Sequence, residues 1–97
     1  MNMVEIECFS VNEMWFYINY LIDKEDPMYI SYFTTSNIAY LYLSVISRKL
    51  QCIIRLIALI RKCKYSCDYE RESILETLKL FKEQLEKQGY TKIILDI

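Results

Sequence analysis

With 97 residues and 54% hydrophobic side chains, the chain is sized for one domain, 1–97, and is too apolar to be a disordered one. It contains no histidine, one glycine (Gly89) and one proline (Pro27), so no imidazole serves as base or metal ligand and no glycine-rich loop cradles a phosphate; Ser-His-Asp triads, Cys-His dyads, P-loops and dinucleotide fingerprints are excluded. The net charge of −1 points to no class of partner, yet it conceals a block of six bases and no acid over residues 36–64 between two acidic flanks.

Val4-Glu5-Ile6-Glu7-Cys8-Phe9 alternates with period two, as a strand with one buried face does. Ser10-Val-Asn-Glu13 forms a capping box, and the helix it opens carries Val11, Met14, Trp15, Ile18, Leu21 and Ile22 at helical spacing before Pro27 stops it. Met28 to Thr34, rich in Tyr, Ile, Phe and Thr, reads as a second strand. It should run parallel to the first, beside it or with a third strand between them. A hairpin returning through Ile38–Val45 is the alternative for the next segment. The longer pattern favours a helix: Ala39, Leu43, Ile46, Leu50, Ile53, Ile57 and Ile60 recur at four-three spacing, with Ser44, Arg48, Gln51, Arg55 and Lys62 opposite. This central helix is expected over 37–63, about 40 Å long if unbroken.

A further helix, roughly Asp68 to Gln88, carries Ile74, Leu78, Phe81 and Leu85 on one stripe, ends at Gly89, and should fold back on the central helix. Thr91–Ile97 then supplies a third strand that joins the same sheet, a place between the first two being one arrangement. The expected fold class is therefore α/β, in the order β-α-β-α-α-β, with a small, partly parallel three-stranded sheet and three helices.

The N-terminal residues lack the basic-then-apolar pattern of a secretory leader, so a cytoplasmic protein is expected, in a host's cytoplasm if it is viral. Arg48, Lys49 and Arg55 sit within the apolar window Ile38–Ile60, and each opposes membrane insertion by about 3 kcal/mol, so no membrane span is expected. Cys8 and Cys52 read as small core hydrophobes, and Cys63 and Cys67 as thiols around a helix end; a disulfide between them suits an intracellular protein only of a hyperthermophile.

Arg48, Arg55 and Lys62, spaced by seven, form a basic stripe suited to a phosphate backbone or an acidic partner, although cations near a helix end also offset its dipole. Nine tyrosines exceed what one small core takes in, and tyrosine is enriched at interfaces. The apolar positions off the main seam, Leu41, Val45, Leu56 and Leu59, are expected at a homodimer interface, formed by central helices or by a sheet edge across a two-fold axis. No catalytic set, metal site or cofactor is expected; a lone thiol at Cys8, Cys63 or Cys67, its pKa lowered by Lys62 or Lys64, is the nearest approach to a nucleophile.

No family motif is present. The composition, rich in Tyr, Ile, Lys and Glu and poor in glycine, resembles that of short proteins of viruses and mobile elements with AT-rich genomes, thermophilic archaeal ones included; the resemblance implies no activity. The expected function is a small non-enzymatic binding protein, a homodimer serving as inhibitor or adaptor for another protein. Nucleic-acid binding through the basic stripe is the alternative.

Overall fold

Period-two burial, not a helical stripe, governs residues 38–62. The computed structural model describes residues 2–97 and places Ala39, Leu41, Leu43, Val45 and Ser47 in the interior, with Ile38, Tyr40, Tyr42, Ser44 and Ile46 alternating on the other face. Cys52, Ile54, Leu56 and Ala58 repeat the pattern. The elements are β1 (Asn2–Cys8), α1 (Val11–Leu21), β2 (Met28–Thr35), β3 (Ile38–Ser47), β4 (Cys52–Lys62), a 3-10 turn (Cys67–Glu70), α2 (Arg71–Lys87) and β5 (Ile93–Leu95).

The chain is α/β, but its sheet has five strands in the order β1-β4-β3-β2-β5, not three, and two α-helices, not three. The expected central helix over 37–63 is the β3–β4 hairpin. A nearly continuous apolar run satisfies both periods, and here the β-branched and aromatic residues, Ile38, Tyr40, Tyr42, Val45, Ile46, Ile53, Ile54 and Ile57, favour pleated backbone. Two tight turns make this pairing local. Ser36 and Asn37 join β2 to β3 with Ser36 at φ 35°, and Arg48–Gln51 join β3 to β4 with Gln51 at φ 53°. Left-handed backbone usually calls for glycine, which neither turn has.

β1 pairs in parallel with β4, and β2 in parallel with β5, while β2–β3 and β3–β4 are antiparallel. β1 and β2 are thus parallel, as expected, but two strands lie between them. β5 sits at the far edge and not between them, because the hairpin fills the centre. The β3–β4 register shifts at Ala39/Tyr40, opposite Ile60, so Ile60 and Arg61 both turn toward the helical layer.

Both helices cover the same face. Met14 and Ile18 of α1, and Leu78, Phe81 and Leu85 of α2, join one core with Ile30, Leu41, Leu43, Ile54 and Leu56, and Trp15 meets Phe81 at 4.9 Å between ring centres. α2 therefore packs on the sheet, not on a second long helix. A smaller cluster joins Ile74 to Ala39 and the Cys63–Cys67 disulfide, which ties the segment after β4 to the 3-10 turn. The two cysteines are bonded and do not stand as separate thiols. The shortest dimension of the molecule, 21 Å, is what one sheet and one helical layer require.

The helix ends follow local chemistry. Ser10 Oγ accepts from the Glu13 amide at 3.3 Å, and the Glu13 carboxylate accepts from the Phe9 amide at 2.8 Å, one residue earlier than in the usual capping box. At the end of α2, Gly89 adopts φ 96°, its amide donates to the Glu86 carbonyl, and the Tyr90 amide donates to the Leu85 carbonyl, a Schellman closure. Among the described residues no helix is long and apolar enough to cross a membrane.

Asp26 is the buried acid of the fold, 1% exposed beneath the β3–β4 turn. Its carboxylate accepts from the Asp23 amide at 3.1 Å and the Arg48 amide at 3.4 Å, with Arg48 Nε 3.9 Å away. Asp26→Ala should lower the free energy of urea unfolding by about 1–3 kcal/mol, since it strips two part-buried amides of their acceptor; an unchanged midpoint counts against this clamp.

Candidate functional site on the open face of the sheet

Among the described residues, no helix or strand covers the second face of the sheet. Its residues follow from register: on β3, Tyr40 lies opposite Leu59 and Phe33, Tyr42 opposite Ile57 and Ser31, Ser44 opposite Arg55 and Tyr29, and Ile46 opposite Ile53. On β1, Met3, Glu5 and Glu7 stand beside Ile53, Arg55 and Ile57. Most of these side chains are half-buried by one another, while Phe33, Met3, Glu5 and Glu7 are exposed. Phe33 stacks on Tyr42 at 5.8 Å and meets Tyr40 at 6.1 Å.

Arg55 stands at the centre of this face. Its guanidinium carbon lies 5.6 Å from the centre of the Tyr42 ring, and Nη1 lies 3.9 Å from a Glu5 oxygen. Its Nε is buried without a hydrogen-bond partner, so stacking and ion pairing supply its compensation. Beside it, a cavity of about 310 Å³ is bounded by Glu5 and Glu7 of β1, the aromatic cluster Phe33, Tyr40 and Tyr42, and the aliphatic chains of Ile57 and Leu59.

The residues expected to act together are dispersed by the hairpin. Arg48 lies in the β3–β4 turn over Asp26 and donates to the Glu25 carbonyl at 3.5 Å. Arg55 is mid-strand on the open face, and Lys62 is exposed at the end of β4 opposite Ile38. Spacing by seven aligns residues on a helix, whereas here a turn separates Arg48 from β4, and Arg55 and Lys62 stand seven extended residues apart along that strand. Of the apolar set, Leu41, Val45 and Leu56 are at most 1% exposed beneath the helices, and Leu59 alone reaches the open face. Phe33 and the carboxylates of Glu5 and Glu7 were not anticipated as site residues; the alternation of Tyr40, Tyr42, Ser44 and Ile46 is the signal that would have found this face.

The chemistry of the remaining groups is limited. Cys63 and Cys67 are joined, and Cys8 and Cys52 are buried. Among the described residues no three Cys, Asp or Glu side chains converge as metal ligands do. Burial, and secondarily the Glu13 carboxylate, raise the Cys8 thiol above its ordinary pKa, opposite to the direction that activates a nucleophile.

Iodoacetamide should therefore alkylate Cys8 more slowly in the native protein than in urea across pH 7–9. A thiol whose folded pKa is raised contributes stability below its unfolded pKa, near 9.0, and loses it as pH rises through the folded value. Cys8→Ala should accordingly flatten the alkaline fall in Tm; equal native and denatured alkylation rates contradict the assignment. Compared with protein-family models, curated proteins and solved structures, the chain matches none of them.

Proposed function

We propose that the chain is a small non-enzymatic binding protein that engages another protein through the open face of its sheet, as an inhibitor or adaptor. One observation carries this reading: a sheet face of aromatic and aliphatic side chains, interspersed with Ser31, Ser44, Arg55 and tyrosine hydroxyls, has no layer over it among the described residues. Large amphipathic rings with a few polar groups are the composition of interface centres. Four strands about 4.8 Å apart and about eight residues long give a footprint of about 500 Å² in projection, enough for a standard interface once the relief of the side chains is counted.

The second reading, binding of single-stranded nucleic acid, draws on the same rings, since aromatic side chains on an open sheet stack with bases. The local charge weighs against it. Glu5 and Glu7 offset Arg55 and Lys62 on this face, leaving no excess of cations to follow a phosphate chain. Ile53→Glu combined with Ile57→Glu should abolish capture of a partner from cells, whereas Leu80→Glu, at an exposed position on α2, should not. A salt-sensitive gel shift with single-stranded RNA or DNA, lost in Arg55→Glu, reverses the preference.

In this reading the homodimer forms along β1, an edge strand paired only with β4, which leaves both open faces accessible. Antiparallel pairing about a two-fold axis at Val4 sets Met3 opposite Glu5, whereas an axis at Glu5 opposes two carboxylates. Sedimentation should give twice the 11.7 kDa chain mass, and Val4→Glu, by placing a charge on the axis, should return the monomer. A monomeric wild type at high concentration removes the dimer without touching the open-face reading.

A further inference from the structure

The cavity on the open face has a chemistry of its own. Two carboxylates, Glu5 and Glu7, and three aromatic rings, Phe33, Tyr40 and Tyr42, bound it, and no Lys or Arg does. Glu5 is partly compensated by Arg55 at 3.9 Å, but among the described residues no cation lies within ion-pair distance of Glu7. Aromatic faces beside acceptor-only carboxylates attract an organic cation through the ring quadrupole and the charge together. The fold already uses one of these rings in that way, with the Arg55 guanidinium 5.6 Å from the centre of Tyr42. A volume of about 310 Å³ is at the small end of ligand pockets and suits one side-chain head group.

We propose that this cavity receives the guanidinium or ammonium group of an arginine or lysine side chain presented by the partner protein. The assignment rests on the open-face reading and names the partner's chemistry: a basic segment that lays its apolar part on Ile57 and Leu59 and sends its cation between Glu7 and the Phe33–Tyr42 stack. Complementary charge is the argument for this occupant, since a phosphate or an acidic segment meets the two carboxylates unfavourably.

The test titrates the full chain at constant ionic strength with propylguanidinium chloride, and separately with neutral propylurea, following the ring-proton resonances of Phe33, Tyr40 and Tyr42. A saturable shift with the cation and none with the urea is expected. Glu7→Gln should weaken binding about threefold to fivefold, and Tyr42→Leu similarly. Glu7 is exposed on the edge strand, so its variant is expected to keep the native spectrum, which the same measurement checks. Equal shifts with propylurea, or unchanged affinity in Glu7→Gln, overturn the proposal. A capped Gly-Arg-Gly peptide should bind at least as well as propylguanidinium; spermidine binding tenfold more tightly than that peptide overturns the assignment to a partner side chain in favour of a free polyamine. Ile53 lies on the open face outside the cavity, so cation binding that survives in the Ile53→Glu chain while partner capture is indifferent to that change separates failure of the open-face reading from failure of the cavity.

Discussion

Antiparallel pairing of β3 with β4, from Ile38 opposite Lys62 to Ser47 opposite Cys52, is the constraint on which the rest of the molecule depends. These two strands occupy the middle of the sheet and supply most of its buried aliphatic side chains, so every other element is placed by reference to them. β1 and β2 attach to the outer sides of the hairpin. The helices lie over Leu41, Leu43, Ile54 and Leu56, and the opposite pleat of the same residues makes the open face. Backbone pairing of the hairpin turns one apolar run into two surfaces with different fates, an interior sealed by Met14, Ile18, Leu78 and Phe81 and an exterior of rings and aliphatics.

Local chemistry made much of the architecture legible. The Ser10 cap, the stripe of α1, the second strand from Met28 and the closure of α2 at Gly89 each depend on side chains a few residues apart, and each is present. Strand order was not legible, because it depends on what fills the centre. A strand over Ile38–Val45 is legible as the alternative to the helix, but two physical features hide the β2–β3–β4 meander. Its strands are apolar on both faces, which erases the polar–apolar alternation that marks a strand, and its turns are made by Ser36 and Gln51 in left-handed backbone without glycine. The scarcity of glycine, which excludes several catalytic loops, also removed the punctuation by which a hairpin is recognised.

That substitution of strands for a helix redistributes the meaning of individual residues. Arg48 belongs to a turn held by the buried Asp26, so its charge serves the packing of the α1–β2 connection against the hairpin tip. Arg55 is held between Tyr42 and Glu5. Leu41, Val45 and Leu56 are interior, and their apolar area is already consumed by folding. The other pleat carries half-buried rings and aliphatic chains instead, at Tyr40, Tyr42, Ile46, Ile53, Ile57 and Leu59.

The parallel pairing of β1 with β4 has a consequence for how the molecule is assembled during synthesis. Each residue of β1 meets a partner fifty positions later, Asn2 with Cys52 through Cys8 with Ala58, whereas the strands of the two hairpins meet neighbours in the chain. A nascent chain made at about 5–20 residues per second therefore carries β1 unpaired for several seconds after it emerges. Glu5 and Glu7, alternating along that strand, oppose in-register parallel pairing of two such nascent chains during the wait, because like carboxylates would then stand side by side.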